Sequence, residues 1–176
     1  MAQFFNGHSW WKPAMLCLIF MTALLLRVAV VRYLGSPPAK DALQYHTIAM
    51  NQLKGYGHAL EPGKPTSLRP PLYPLFLAGI YAMTGADYLH ALYAQAMLNA
   101  LLVFPLFWLG YRISGRFWIG ILTACIFAIH TSFELVSQLL RENLTVALVV
   151  LFLCSAYAAF CKPDFKKFIL IFENKK

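Results

Sequence analysis

Residues 72–86 read LYPLFLAGIYAMTGA, and how far this stretch reaches decides the fold. Fifteen residues of α-helix extend roughly 22 Å, against the roughly 30 Å hydrocarbon core of a bilayer. The stretch is apolar enough for lipid and too short to cross it. It therefore reads as a helix lying in the membrane interface or partly inserted there.

Around it stand four longer apolar blocks, at about 14–34, 88–111, 117–133 and 144–160. The chain is 60% hydrophobic and 12% charged over 176 residues. That balance excludes a water-soluble bundle, whose amphipathic helices need charged faces. The expected fold class is all-α: a polytopic membrane protein with about four transmembrane helices and two interfacial helices in an external loop, residues 35–87. Residues 1–161 form one membrane domain, and 162–176 form a basic tail that reads as a truncation. Lys12 ahead of an apolar core imitates a signal peptide, but no small-residue cleavage pattern follows and VAVV (28–31) continues the run past Arg27. An uncleaved anchor is expected.

Between the first block and Leu72, the turn signals GSPP, GYG and EPGKP break any spanning helix. Within that loop, ALQYHTIAMNQLK (42–54) sets Ala42, Tyr45, Ile48, Ala49 and Leu53 at helical spacing, with Asp41 in front as the expected N-cap. Pro105 is expected to bend the second block. The net charge is +8. With the N-terminus cytoplasmic, Lys12, Arg112, Arg116 and the lysines from Lys162 onward lie inside, and Lys40, Lys54, Lys64, Arg69 and Arg141 outside. A five-span arrangement with the N-terminus outside scores better on charge, but the length of 72–86 speaks against it. No nucleic-acid motif is present, and no span carries the row of ionisable residues that a transport path needs. Cys17, Cys125, Cys154 and Cys161 lack metal-like spacing and read as packing residues, and His46, His58, His90 and His130 show no ligand spacing either.

Several residues carry two readings each. Asp41 is either a helix N-cap or a general base held at the membrane surface. Arg69 is either a headgroup anchor or a phosphate clamp whose direction Pro70 and Pro71 fix. Arg27, two thirds along the first span, either snorkels to the outer surface or faces the same site. Glu142 either complements the dipole of the last helix or joins the site. Gln95 and Asn99, one turn apart, read as polar glue between helices. The sequon Asn143-Leu144-Thr145 abuts a span, which argues against its use as a glycan acceptor.

Taken as an ordered string, Asp41, Tyr45-His46, Asn51, Gly55-x-Gly57 and Arg69-Pro70-Pro71-Leu72-Tyr73-Pro74 resembles the first external loop of the GT-C glycosyltransferases that use polyprenyl-phosphate sugars. It is most similar to the branch of protein O-mannosyltransferases and the aminoarabinose transferase of lipid A. The resemblance implies a multi-span enzyme of the bacterial inner membrane with its site on the periplasmic face. It puts Asp41 in the place of the catalytic acid, Arg69 on the lipid phosphate and Glu142, in LLRE, close to the site. Arg27, Tyr45 and His46 are expected around the same phosphate. The implied partners are membrane lipid, the polyprenyl-phosphate donor and a chain supplying further spans, since the likeness covers the N-terminal third of such enzymes; a divalent metal is left open as cofactor. His58 replaces the family's usual aromatic after Gly-x-Gly. The alternative is a non-enzymatic small membrane subunit, or a lipid-phosphate-binding protein, that keeps the loop.

Overall fold

The computed structural model describes residues 10–130 and 136–161; the tail expected at 162–176 lies outside them. Seven α-helices are formed there: α1 (Trp11–Leu34), α2 (Lys40–Leu53), α3 (Leu72–Thr84), α4 (Tyr88–Leu101), α5 (Val103–Ser114), α6 (Phe117–Ile129) and α7 (Glu142–Phe160). Three helical rods are long and apolar enough to cross a membrane: α1, the 27-residue Tyr88–Ser114 rod made of α4 and α5, and α7. The remaining expected crossing, 117–133, is helical over the 13 residues of α6, about 20 Å, and its residues 131–133 lie outside the described part.

Prolines and glycines set the helix ends. Pro13 sits in the first turn of α1, where its missing N–H costs no bond, and Pro37-Pro38 stop the chain from continuing helical after Leu34. Pro71 stands at the N-cap of α3, and Gly85, at φ 90°, closes it in a conformation other residues avoid. Pro105 has no N–H to offer the carbonyl of Leu101, and the rod is interrupted at Leu102, whose N–H turns to Asn99 O at 3.2 Å. Gly115, at φ 67°, makes the sharp reversal between α5 and α6.

Side-chain contacts give the relative directions. Trp11 stacks on Trp118 at the start of α6, while Arg27 reaches Phe127 and Ala128 near its end, so α1 and α6 run parallel. Tyr157 Oη donates to Arg112 O, and Asn99 to Asn143, so α7 runs parallel to α4–α5 and against the other two. All rods thus alternate. One end, the turn end, gathers Trp11, Lys12, Arg112, Arg116 and Phe117; the other, the loop end, gathers α2, α3 and the start of α7.

Two apolar clusters match these ends. Val31, Tyr45, Ala49, Tyr73, Leu77 and Leu92 pack at the loop end, and Ile19, Ala23, Val103, Phe107, Ile121 and Ala124 toward the turn end. Along α2 the buried side chains are Ala42, Tyr45, Ile48, Ala49 and Asn51. Leu53, expected inward, is 41% exposed. Asn51 takes the inward place because its amide donates to Ala59 O and Leu60 O at 2.8 and 3.1 Å. Those carbonyls belong to an unexpected element, a small antiparallel hairpin of β1 (Ala59–Glu61) and β2 (Lys64–Pro65). It is the one departure from an all-helical chain among the described residues.

Candidate functional site at the loop end

Asp41 is not an N-cap. Ala39 holds that position without a side-chain bond, and Asp41 sits in the first turn of α2, where its Oδ1 accepts a hydrogen bond from Arg69 Nη2. Lys40, just before it, has φ 48°, a left-handed conformation that costs a side-chain-bearing residue about 1–2 kcal/mol. That turn is how α2 starts with Asp41 facing the Arg69 corner.

Arg69 is held from several sides. Its Nε donates to Gln44 Oε1 at 2.7 Å, and its guanidinium lies 5.3 Å from the centre of the Tyr45 ring. Asp41, Gln44 and Tyr45 share one face of α2 through their i, i+3, i+4 spacing. The backbone is pinned as well: His58 Nε2 donates to Arg69 O at 2.9 Å, and His58 Nδ1 accepts from Gln52 Nε2 at 3.3 Å. The carbonyl partner calls for an N–H at His58 Nε2. Pro70 and Pro71 then restrict the chain into α3. The two side-chain bonds use two of the five N–H groups of the fork, and 18% of the side chain stays exposed.

Behind the corner, Tyr73 stacks edge-on against Tyr45 at 5.0 Å and donates to Gln95 Oε1. Gln95 Nε2 donates to Gln138 O at 3.2 Å, Asn99 Nδ2 to Asn143 Oδ1 at 2.9 Å, and Asn143 Nδ2 to Leu140 O at 3.2 Å. This buried chain joins α3, α4 and the start of α7. Burial pushes the Tyr73 phenol well above its usual range, reinforced by Tyr81, Tyr45 and Glu142 nearby, so it serves as a donor and not as an anion. A cavity of about 370 Å³ opens between Pro70, Leu72 and Tyr73 on one side and Arg141, Glu142, Leu144, Thr145 and Leu148 on the other. Glu142 is therefore within the same end of the fold as Asp41 and Arg69.

The other expected members lie apart. His46 bonds Tyr81 Oη through Nδ1 at 2.8 Å, and burial lowers its pKa. Arg27 is 2% exposed, neither snorkelling nor joined to Arg69. Its partners are Ala23 O at 3.0 Å, Phe127 O at 3.1 Å and Ala128 O at 3.3 Å, so it caps the closing carbonyls of α6, where a cation also opposes the helix dipole. No three of His, Cys, Asp and Glu come together as a metal site among the described residues. Gln44 and His58 are the members that sequence reading passed over. The helical spacing of Gln44 from Asp41 was a usable signal for the first; for the second there was none.

Comparison with protein-family models, with curated proteins and with solved structures gives no match. The likeness to polyprenyl-phosphate glycosyltransferases stands on the loop residues alone.

Proposed function

We propose that this chain is the N-terminal part of a membrane glycosyltransferase that takes a sugar from a polyprenyl-phosphate donor and passes it to an acceptor outside a bacterial inner membrane. It crosses the membrane four times, and the loop end faces the periplasm. The observation that carries this reading is the pairing of Asp41 with Arg69, residues 28 apart in the chain, at the loop end of the bundle, where α2 and α3 pack on each other.

In the reaction the acceptor's hydroxyl or amine attacks the anomeric carbon. The bond from that carbon to the phosphate oxygen breaks, and its electron pair leaves with the lipid phosphate. Arg69 stabilises the charge that develops on that phosphate. Asp41 takes the proton that the acceptor loses. Gln44, Tyr45 and His58 keep the guanidinium and its backbone in place, which spares reorganisation in the transition state.

The binding-protein reading keeps one supporting observation: Asp41 Oδ1 is already engaged by Arg69, so the pair can hold a lipid phosphate with no base in play. The two separate in vesicles that contain the chain, a polyprenyl-phosphate sugar radiolabelled in its lipid and hydroxyl- or amine-bearing acceptors extracted from a bacterial envelope, with release of free polyprenyl phosphate as the readout. Release by wild type that falls about 100-fold in Asp41→Asn supports transfer. Saturable donor binding with no release supports the binding protein.

A further inference from the structure

Arg69 and Asp41 do not line the 370 Å³ cavity; its walls are the Pro70–Tyr73 corner and the first two turns of α7. Because α7 enters the bundle from this end, Leu148 lies roughly 9 Å deeper than Glu142 at 1.5 Å per residue. Arg141 and Glu142 form the rim, Leu144 and Thr145 lie just below it, and Leu148 forms the deeper wall. Leu72 and Leu148 remain 55% and 48% exposed, so the cavity opens sideways, toward hydrocarbon in a membrane. The gradient from charged rim to apolar depth is that of a lipid lying alongside the helix.

The rim also states what kind of head it would take. Glu142 Oε1 stands 3.4 Å from Arg141 Nε, longer than a normal hydrogen bond, and Glu142 Oε2 is shielded from solvent with no hydrogen-bond partner. The Glu142 side chain as a whole is 47% exposed, so its carboxylate is loosely held and open to a stronger donor. A cation and an acid side by side complement a head that carries a phosphate and an ammonium in the same order.

We propose that this cavity is a lateral binding site for a phospholipid whose head bears a primary ammonium next to its phosphate. Arg141 takes the phosphate, the exposed side of the Glu142 carboxylate accepts from the ammonium, and Leu72, Leu144 and Leu148 line the start of an acyl chain. The volume suits a head and its first methylene groups, within the range of small-molecule pockets. The site holds or fails whether or not the chain transfers sugar.

The test is native mass spectrometry of the purified full chain with defined mixtures of phosphatidylethanolamine and phosphatidylcholine of identical acyl chains. Both have the phosphate, and only the first has N–H donors. Wild type retains phosphatidylethanolamine about tenfold over phosphatidylcholine. Glu142→Gln brings that preference below about threefold, Leu148→Trp lowers retention of both lipids about tenfold, and Lys64→Ala, a cation at the same end outside the cavity, changes neither. Equal retention of the two lipids by wild type, which needs no variant to fold, overturns the proposal. So does a preference that survives Glu142→Gln.

Discussion

Arg27 and Arg69 are both drawn in from solvent, and they are held in opposite ways. Arg27, in the middle of the bundle, bonds only carbonyl oxygens of α1 and α6 and lies 5.1 Å from the centre of the Phe127 ring. Among the described residues no carboxylate pairs with it. Carbonyls of a helix end have no other donor to turn to, so this guanidinium is committed to structure. Arg69 bonds a glutamine and an aspartate whose side chain is 58% exposed. An ion pair open to water on one side is worth about 1 kcal/mol or less, and a phosphate can exchange with such a partner. The difference between a cap and a site lies in what the cation can let go of.

The largest effect is expected on the Arg27 side. Arg27→Met leaves the last carbonyls of α6 without donors and should lower stability by about 3 kcal/mol, read as a fall in the melting temperature in detergent. A variant as stable as wild type would erase the distinction between the two arginines.

On the Arg69 side the prediction has two signs. Asp41→Asn removes the negative partner, so affinity for polyprenyl phosphate should rise about threefold to tenfold, while sugar release falls about 100-fold. Melting should shift by less than about 1 kcal/mol. Affinity and turnover falling together would mean that Asp41 orders the fold and is not a base.

Smaller changes sharpen the picture of α2. Lys40→Asn places a residue that tolerates a left-handed backbone at φ 48° and should raise stability by up to about 1 kcal/mol, measured by the same melts. His46 supplies the pH dependence. Its pKa is lowered in the fold by burial, so between that lowered value and the ordinary 6.5 the unfolded chain binds the extra proton. Stability therefore falls as pH drops below the ordinary imidazole range and recovers as pH rises. His46→Phe should flatten that slope, and an unchanged slope would assign the titration elsewhere.

What could be read ahead of the structure follows from range. Pro70-Pro71, Gly85 and Gly115 announce the ends of α3 and α5 because they act through their own dihedrals. The helices α2 and α3 were legible from length and spacing. The strands Ala59–Glu61 and Lys64–Pro65 are too short for an alternating pattern to register. Asp41 as N-cap was the plausible local choice, and a partner 28 residues away outbid it. Arg27 could not be placed from sequence, because its α6 partners are 100 and 101 residues on and a span apolar on all sides does not say which face turns inward. Gly120 shows the same limit: a Cβ there would lie 2.8 Å from Phe107 O, a closeness that only the packing of α5 on α6 reveals.

The proposed function requires that Arg69 recognise a lipid-borne phosphate. The direct measurement compares binding of polyprenyl phosphate and of the corresponding polyprenol, equal in tail and different only in the head, to wild type and to Arg69→Ala. The expected result is a preference of about tenfold or more for the phosphate in wild type that disappears in the variant. Equal affinity for phosphate and alcohol in wild type, or a preference that outlasts the loss of Arg69, would contradict it.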